Sequence, residues 1–187
     1  MQKIRAAVCF CGFVAIGILF AGATTAEPLN APQWHFSATF PCQSQISGQS
    51  TDTAVGRIVL TMYACGDDSE GYMVGINDYP AGMVKPENVD GIYAGVINGA
   101  ATSVKGSIRG VTVYTLANLN GREVVIDIPN TKGVLKSHVF LVGDRLYQVT
   151  CFGNAETTTG QTCKSFLDSF TLIGIDALTN PASPPSK

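Results

Sequence analysis

Residues 86–100, PENVDGIYAGVINGA, decide the fold, because here the spacing of the apolar residues changes. Val89, Ile92, Tyr93, Val96, Ile97 and Ala100 recur at three- and four-residue steps. That is one stripe of an amphipathic helix, and Pro86 stands where a first turn accepts a proline. Gly91, Gly95 and Gly99 lie at four-residue spacing on the same helix. They lower its intrinsic propensity, so they are expected to mark a close approach of another backbone. A membrane-dimer reading of such spacing needs a wholly apolar helix, and Asn88, Asp90 and Asn98 exclude it.

On both sides of this helix the period is two. Upstream, Trp34, Phe36, Ala38 and Phe40 share a face in a strand from Trp34 to Cys42. The polar stretch QSQISGQSTDTAVG reads as a connection to a second strand, Arg57 to Cys65 (RIVLTMYAC). The acidic turn Gly66-Asp67-Asp68-Ser69-Glu70-Gly71 leads into a third, Tyr72 to Tyr79, and the three read as an antiparallel meander. Downstream, four strands are expected at Ser107–Ala117, Arg122–Pro129, Val134–Val142 and Arg145–Phe152. The turn-rich sequences NLNG, NTKG and Gly143-Asp144 separate them. In the second of these strands Val124, Ile126 and Ile128 face one way, while Glu123 and Asp127 face the other. A last helix, Gly160 to Phe170, sets Cys163, Phe166, Leu167 and Phe170 on one face. The order β-β-β-α-β-β-β-β-α predicts a central antiparallel sheet with two helices, the α+β class.

The first residues carry an address. Lys3 and Arg5 precede an apolar run, AAVCFCGFVAIGILFAG, which closes on the small residues Ala21, Ala23 and Ala26. Charged start, apolar middle and small-residue end are the parts of a secretory signal. Residues 1–26 are therefore expected to be removed, with cleavage after Ala23 as the second choice. Residues 27–33 read as a short leader, 34–173 as one domain, and 174–187 as a flexible proline-rich tail. Without the signal, 10 basic residues face 14 acidic ones, a formal charge of −4. That balance weighs against nucleic acid and anionic membrane surfaces, which select basic patches.

Four cysteines remain, Cys42, Cys65, Cys151 and Cys163. An even number in an exported chain reads as disulfides, and no C-x-x-C pair supports a zinc site. Three pairings are possible on count alone. Tyr147, Val149 and Cys151 share a strand face, and Cys163 shares the stripe of Phe166 and Leu167, so a bond between these cysteines would pin the last helix to its strand. Cys42 and Cys65 end two strands flanking one connection, which brings them together if those strands pair in register.

Gly121-Arg122-Glu123-Val124, Arg145-Leu146-Tyr147-Gln148 and Phe166-Leu167-Asp168-Ser169-Phe170 resemble motifs of a broad group of small exported bacterial proteins. Leu60-Thr61-Met62-Tyr63 and Asp78-Tyr79-Pro80 do likewise. In element order the group is similar to the PsbP-like superfamily, which includes bacterial envelope proteins of the DcrB type. The likeness covers roughly Trp34 to Phe170. It implies a three-layer sandwich around an antiparallel sheet, and a role in binding or assembling other components. No catalytic residue transfers with it.

The residues themselves offer little chemistry. No serine stands in a G-x-S-x-G turn, and no glycine loop cradles a phosphate. His35 and His138 are expected within strands, the latter partly exposed beside Lys136 and Phe140. Asp67, Asp68 and Glu70 lack the alternate-residue spacing of a calcium loop and read as a solvated hairpin tip. Arg122, Glu123, Asp127 and Arg145 are expected to form cross-strand pairs on the outer face. The expectation is a non-catalytic periplasmic or secreted module with no cofactor or metal, binding an envelope protein or a small ligand. The alternative is an exported enzyme of hydrolase type. A pocket of converging polar groups would favour the enzyme, and an exposed apolar patch the module.

Overall fold

The structure is a computed structural model and describes residues 26–53 and 56–175. The expected signal, apart from Ala26, and the tail from residue 176 onward lie outside the described residues. In chain order the strands are β1 Glu27–Ala31, β2 Phe36–Phe40, β3 Gln45–Thr53, β4 Gly56–Gly66 and β5 Gly71–Asp78. Helix α1, Val89–Ser103, follows. Strands β6 Ser107–Leu116, β7 Leu119–Ile128, β8 Gly133–Val142 and β9 Arg145–Gly153 come next. Helices α2 Ala155–Thr159 and α3 Gln161–Ser169 and the short strand β10 Thr171–Leu172 close the chain.

Seven strands form the central sheet in the order β3-β4-β5-β9-β8-β7-β6, and β1, β2 and β10 form a second, three-stranded sheet. Every pairing is antiparallel. The order follows from α1. It carries the chain from β5 across one face to the far edge at β6, and β6 to β9 then meander back until β9 pairs with β5. Tight turns keep that meander in step. Ala117 and Asn118, both at positive φ, join β6 to β7, and Gly143 at φ 56° opens the β8–β9 turn, the backbone that two-residue hairpins demand.

Both faces of the central sheet are covered over its inner strands. On one, Ile92, Tyr93, Val96 and Ile97 of α1 pack on Val124, Ile126, Leu135, Val139 and Leu146. On the other, β2 and α3 bury Phe36, Phe40, Phe166 and Phe170 against Tyr72, Val74, Ile76, Phe140, Tyr147 and Val149. Phe170 is the centre of that layer, stacked on Phe36 and Phe140 with centroids 5.7 and 5.9 Å away. Each wholly buried aromatic of this kind contributes roughly 1.5–3 kcal/mol of apolar transfer. The layers are thus α1, the seven-stranded sheet, and the small sheet with α2 and α3.

The motifs quoted above hold these layers in place. Ser169 Oγ of α3 accepts the Thr39 amide of β2 at 2.9 Å. Arg122 lies over the Tyr93 ring, 4.7 Å from its centroid, and reaches Asp90 of α1 at 2.9 Å. Arg145 pairs with Asp78 across β5–β9 and covers Trp34 at 5.3 Å. The Tyr147 hydroxyl donates to the Trp34 carbonyl at 2.9 Å.

Several expectations need correction. The short leader expected at residues 27–33 belongs to the fold: β1 pairs with β2 along five residues, and Pro32–Trp34 form a 3-10 turn. The first three expected strands are not one meander. The strand read at Trp34–Cys42 leaves for the small sheet, and the polar stretch before Gly56 supplies β3, the true neighbour of β4. Ile175, assigned to the tail, packs against the core. Among the described residues there are three helices rather than two, because Ala155–Thr159 forms α2 under an Asn154 cap. Gly91 meets no neighbour within 4 Å, so at that position no second backbone comes close.

Candidate functional site

Strand β6 is the last of the central sheet, and its outer edge is unpaired among the described residues. Its sequence, SIRGVTVYTL, would alternate cleanly but for a bulge between Ile108 and Gly110. Ile108 and Val111 are three apart, so a regular strand would put them on opposite faces. The extra residue restores the phase. Ile108, Val111 and Val113 then all lie on the α1 side, opposite Ile126, Val124 and Arg122. The helix covers β7 to β9 and stops short of them: they are 39, 44 and 67% exposed. On the reverse face Tyr114 and Leu116 pack into the core, so β6 is anchored on one side and bare on the other.

The opposite edge strand, β3, is built differently. It carries Gln, Ser and Gly, with Ile46 as its single large apolar residue. Polar edges of this sort resist strand addition. The strip on β6 depends on the bulge, which shifts the phase of the alternation partway along the strand. The run of apolar residues on both phases, broken by Arg109-Gly110, was the available signal.

Under Tyr114 lies the second feature. His138 is 3% exposed, not the partly exposed strand residue expected. Its ring is stacked 3.8 Å from that of Tyr114. Nε2 donates to Glu123 Oε2 at 2.9 Å, and Lys136 Nζ meets the same oxygen at 3.2 Å. Burial lowers the His138 pKa, overriding the raising effect of Glu123. Burial raises Glu123, but hydrogen bonds from His138 and Lys136 outweigh it and leave its pKa lowered. A neutral imidazole clamped to a carboxylate beneath a tyrosine ring fastens β7 to β8. His35 is not in a strand. It sits at φ 56° after the 3-10 turn, with Nδ1 3.2 Å from the Ile173 carbonyl oxygen.

Three of the four charged residues expected to pair across strands do so, with Arg122 reaching α1 instead. Arg122 pairs with Asp90, Glu123 with His138 and Lys136, Asp127 with Arg109, and Arg145 with Asp78. Asp67 caps its own turn: its carboxylate accepts the Ser69 hydroxyl at 2.6 Å, the Ser69 amide at 2.7 Å and the Glu70 amide at 3.1 Å, which together lower its pKa, the hydroxyl most.

Disulfides join Cys42 to Cys65 and Cys151 to Cys163, with Cα separations of 5.8 and 5.9 Å. Cys151–Cys163 pins α3 to β9. Cys42–Cys65 joins the end of β2 to β4, so it ties the two sheets together rather than neighbouring strands of one. Between α1 and the sheet, beside Ser137, Gln148 and Thr150, is a cavity of about 20 Å³, room for a single water. The Ser137 and Thr150 hydroxyls bond each other there at 2.8 Å, and Asn77 donates to Gln148 at 3.2 Å. Among the described residues no helix is long and apolar enough to cross a membrane, and no three His, Cys, Asp or Glu side chains group to hold a metal.

No protein-family model and no curated protein matches the sequence. The fold has a relative among solved structures, the cyanobacterial PsbP (CyanoP) of Synechocystis sp. PCC 6803. The likeness spans 84% of this chain and 98% of that one, with a TM-score of 0.50 at 10% sequence identity. At that identity the likeness concerns architecture, and the architecture is clear: this chain has a PsbP-like fold.

Proposed function

We propose that the protein is an exported, non-catalytic binding module of the periplasm or extracellular medium. In this reading it docks a partner protein along β6. The observation that carries the proposal is the bare strip Ile108, Val111 and Val113 beside an unpaired strand edge. Contiguous exposed apolar groups beside free backbone donors and acceptors favour an added strand. The bulge at Arg109-Gly110 interrupts regular pairing, so residues 111–116 are the segment offered. A partner strand there would lay apolar side chains over Val111 and Val113, next to α1.

Two disulfides support an oxidising compartment, and the N-terminal sequence supports export. The relative's PsbP fold is compatible with a binding role and carries no residue-level claim. The hydrolase alternative gains nothing from His138, whose ring lies buried under Tyr114.

The test is capture of partners from the producing cell's envelope with wild-type protein and with Val111→Asp/Val113→Asp. One partner retained by wild type and by Ile46→Asp, but lost from the β6 variant, is the expected result. Equal capture by all three proteins would overturn the reading.

A further inference from the structure

We infer that the strand docked on β6 is β6 of a second copy of this chain, paired antiparallel about a twofold axis through Val113. The inference rests on the β6 reading and names its occupant.

The β6–β7 hairpin decides which backbone groups are free. Leu116 and Leu119 face each other across the two-residue turn Ala117-Asn118, whose φ values of 46° and 69° suit a type I′ loop. The residues flanking such a turn bond each other, and bonded and unbonded pairs then alternate along an antiparallel ladder. Leu116, Tyr114 and Thr112 therefore spend their N–H and C=O groups on β7. Those of Thr115, Val113 and Val111 point to the open edge. In agreement, the carbonyl of Asn120, opposite Thr115, accepts the Tyr93 hydroxyl at 3.1 Å.

The bulge between Ile108 and Gly110 ends regular pairing on one side, and the turn ends it on the other. The usable window runs from Gly110 to Leu116, and Val113 is its midpoint. An antiparallel copy centred there sets Val113 against Val113 and each Val111 against a Thr115, so that every pair uses outward-facing groups. Moving the axis by one residue drives an outward-facing residue against the bulge or the turn.

The side chains suit a copy of themselves. Val113 meets Val113, Val111 meets Thr115, and Thr112 meets Tyr114, and β-branched and aromatic pairs of this kind stabilise antiparallel strands. Charge points the same way. The chain is acidic, with 14 carboxylates against 12 basic residues, so two copies repel except where they present neutral surface. Residues 110–116 carry no charge, and Arg109 just outside them is held by Asp127. Pairing β6 with β3 of another copy would be head-to-tail and would run on into open assemblies. Pairing β6 with β6 closes after two chains.

The test uses the mature, fully oxidised protein in sedimentation equilibrium up to about 1 mM, the weak end of the affinity scale. Wild type is expected to dimerise. Val113→Asp and Val113→Lys each set like charges directly opposite across the axis, so each should weaken the dimer at least about tenfold. A mixture of the two variants should dimerise again, which a merely damaged strand would not do. Val113→Cys should form a disulfide-linked dimer on mild oxidation, because opposed residues in a bonded pair have Cα atoms about 5.5 Å apart. Val111→Cys should not link to itself but should link to Thr115→Cys. A wild type that stays monomeric, a mixture that fails to recover, or Val111→Cys linking to itself as readily as Val113→Cys would overturn the inference. If wild type is monomeric but captures a different protein through β6, the inference falls and the β6 reading stands. If it is monomeric and captures nothing through β6, both fall.

Discussion

Tyr72 stands directly across from Cys151 in the β5–β9 pair, and the disulfide to Cys163 carries that contact on into α3. The bridge closes a short loop, with 12 residues of sequence separation. A loop of that length should restrict the unfolded chain by about 3 kcal/mol. Cys151→Ala/Cys163→Ala is therefore expected to lower the unfolding free energy by about that amount, read from urea unfolding with the slope fitted for each protein, because the uncrosslinked chain exposes more surface when unfolded. A double variant as stable as wild type would mean that packing of Phe166 and Leu167 alone holds α3.

His138 predicts an acid-sensitive stability. Its folded pKa lies below the ordinary 6.5 because burial favours the neutral ring. As pH falls below about 6.5 the unfolded chain takes up this proton first, so stability should fall with pH in that window. Glu123 acts lower down. Its folded pKa lies below 4.5, so its contribution is full above about that pH and is lost as pH drops through the folded value. The other charges acting on the ring are Lys136 and, from α3, Asp168. His138→Gln should flatten the fall in stability that begins below about 6.5 and keep the fall due to Glu123 at lower pH. A profile identical to wild type would show that the imidazole does not carry the effect.

Gly121 tests the β7–β8 packing. A Cβ at this position would press into the Val139 carbonyl oxygen and the Phe140 ring, backbone and core atoms that cannot swing aside. Gly121→Ala should cost roughly 1–3 kcal/mol, the scale of overpacking. Gly91→Ala is the control. Nothing lies within 4 Å of its would-be Cβ, so helix propensity alone should stabilise the protein by about 0.5–1 kcal/mol. Thermal melts of the two variants give opposite signs if the packing is right.

Much of the architecture was legible because apolar periods are strong along β4, β5 and β7 to β9 and in α1. Strand β3 was not, since QISGQSTDT has no alternating apolar face. What makes it a strand is backbone pairing with nine residues of β4, a long-range fact. Strand β1 hid behind Pro28 and its five-residue length, and α2 behind three threonines, which local propensity disfavours in helices. The cysteine faces were readable for Cys151 and Cys163, whose neighbours alternate cleanly. For Cys42 and Cys65 strand pairing was the wrong route to the bond: β2 and β4 belong to different sheets. The β6 strip depends on one bulge, which does not follow from residue spacing.

The most direct test of the binding account is photo-crosslinking in the producing cell, with a photoreactive amino acid placed at Val113 and, separately, at Ile46. Both positions are exposed, at 67 and 60%, so substitution at either should change stability by no more than about 0.5 kcal/mol. The account predicts one discrete adduct from position 113, lost when Val111→Asp is added, and no matching adduct from position 46. The same adduct from both positions, or none from position 113 while the protein is folded and exported, would contradict it.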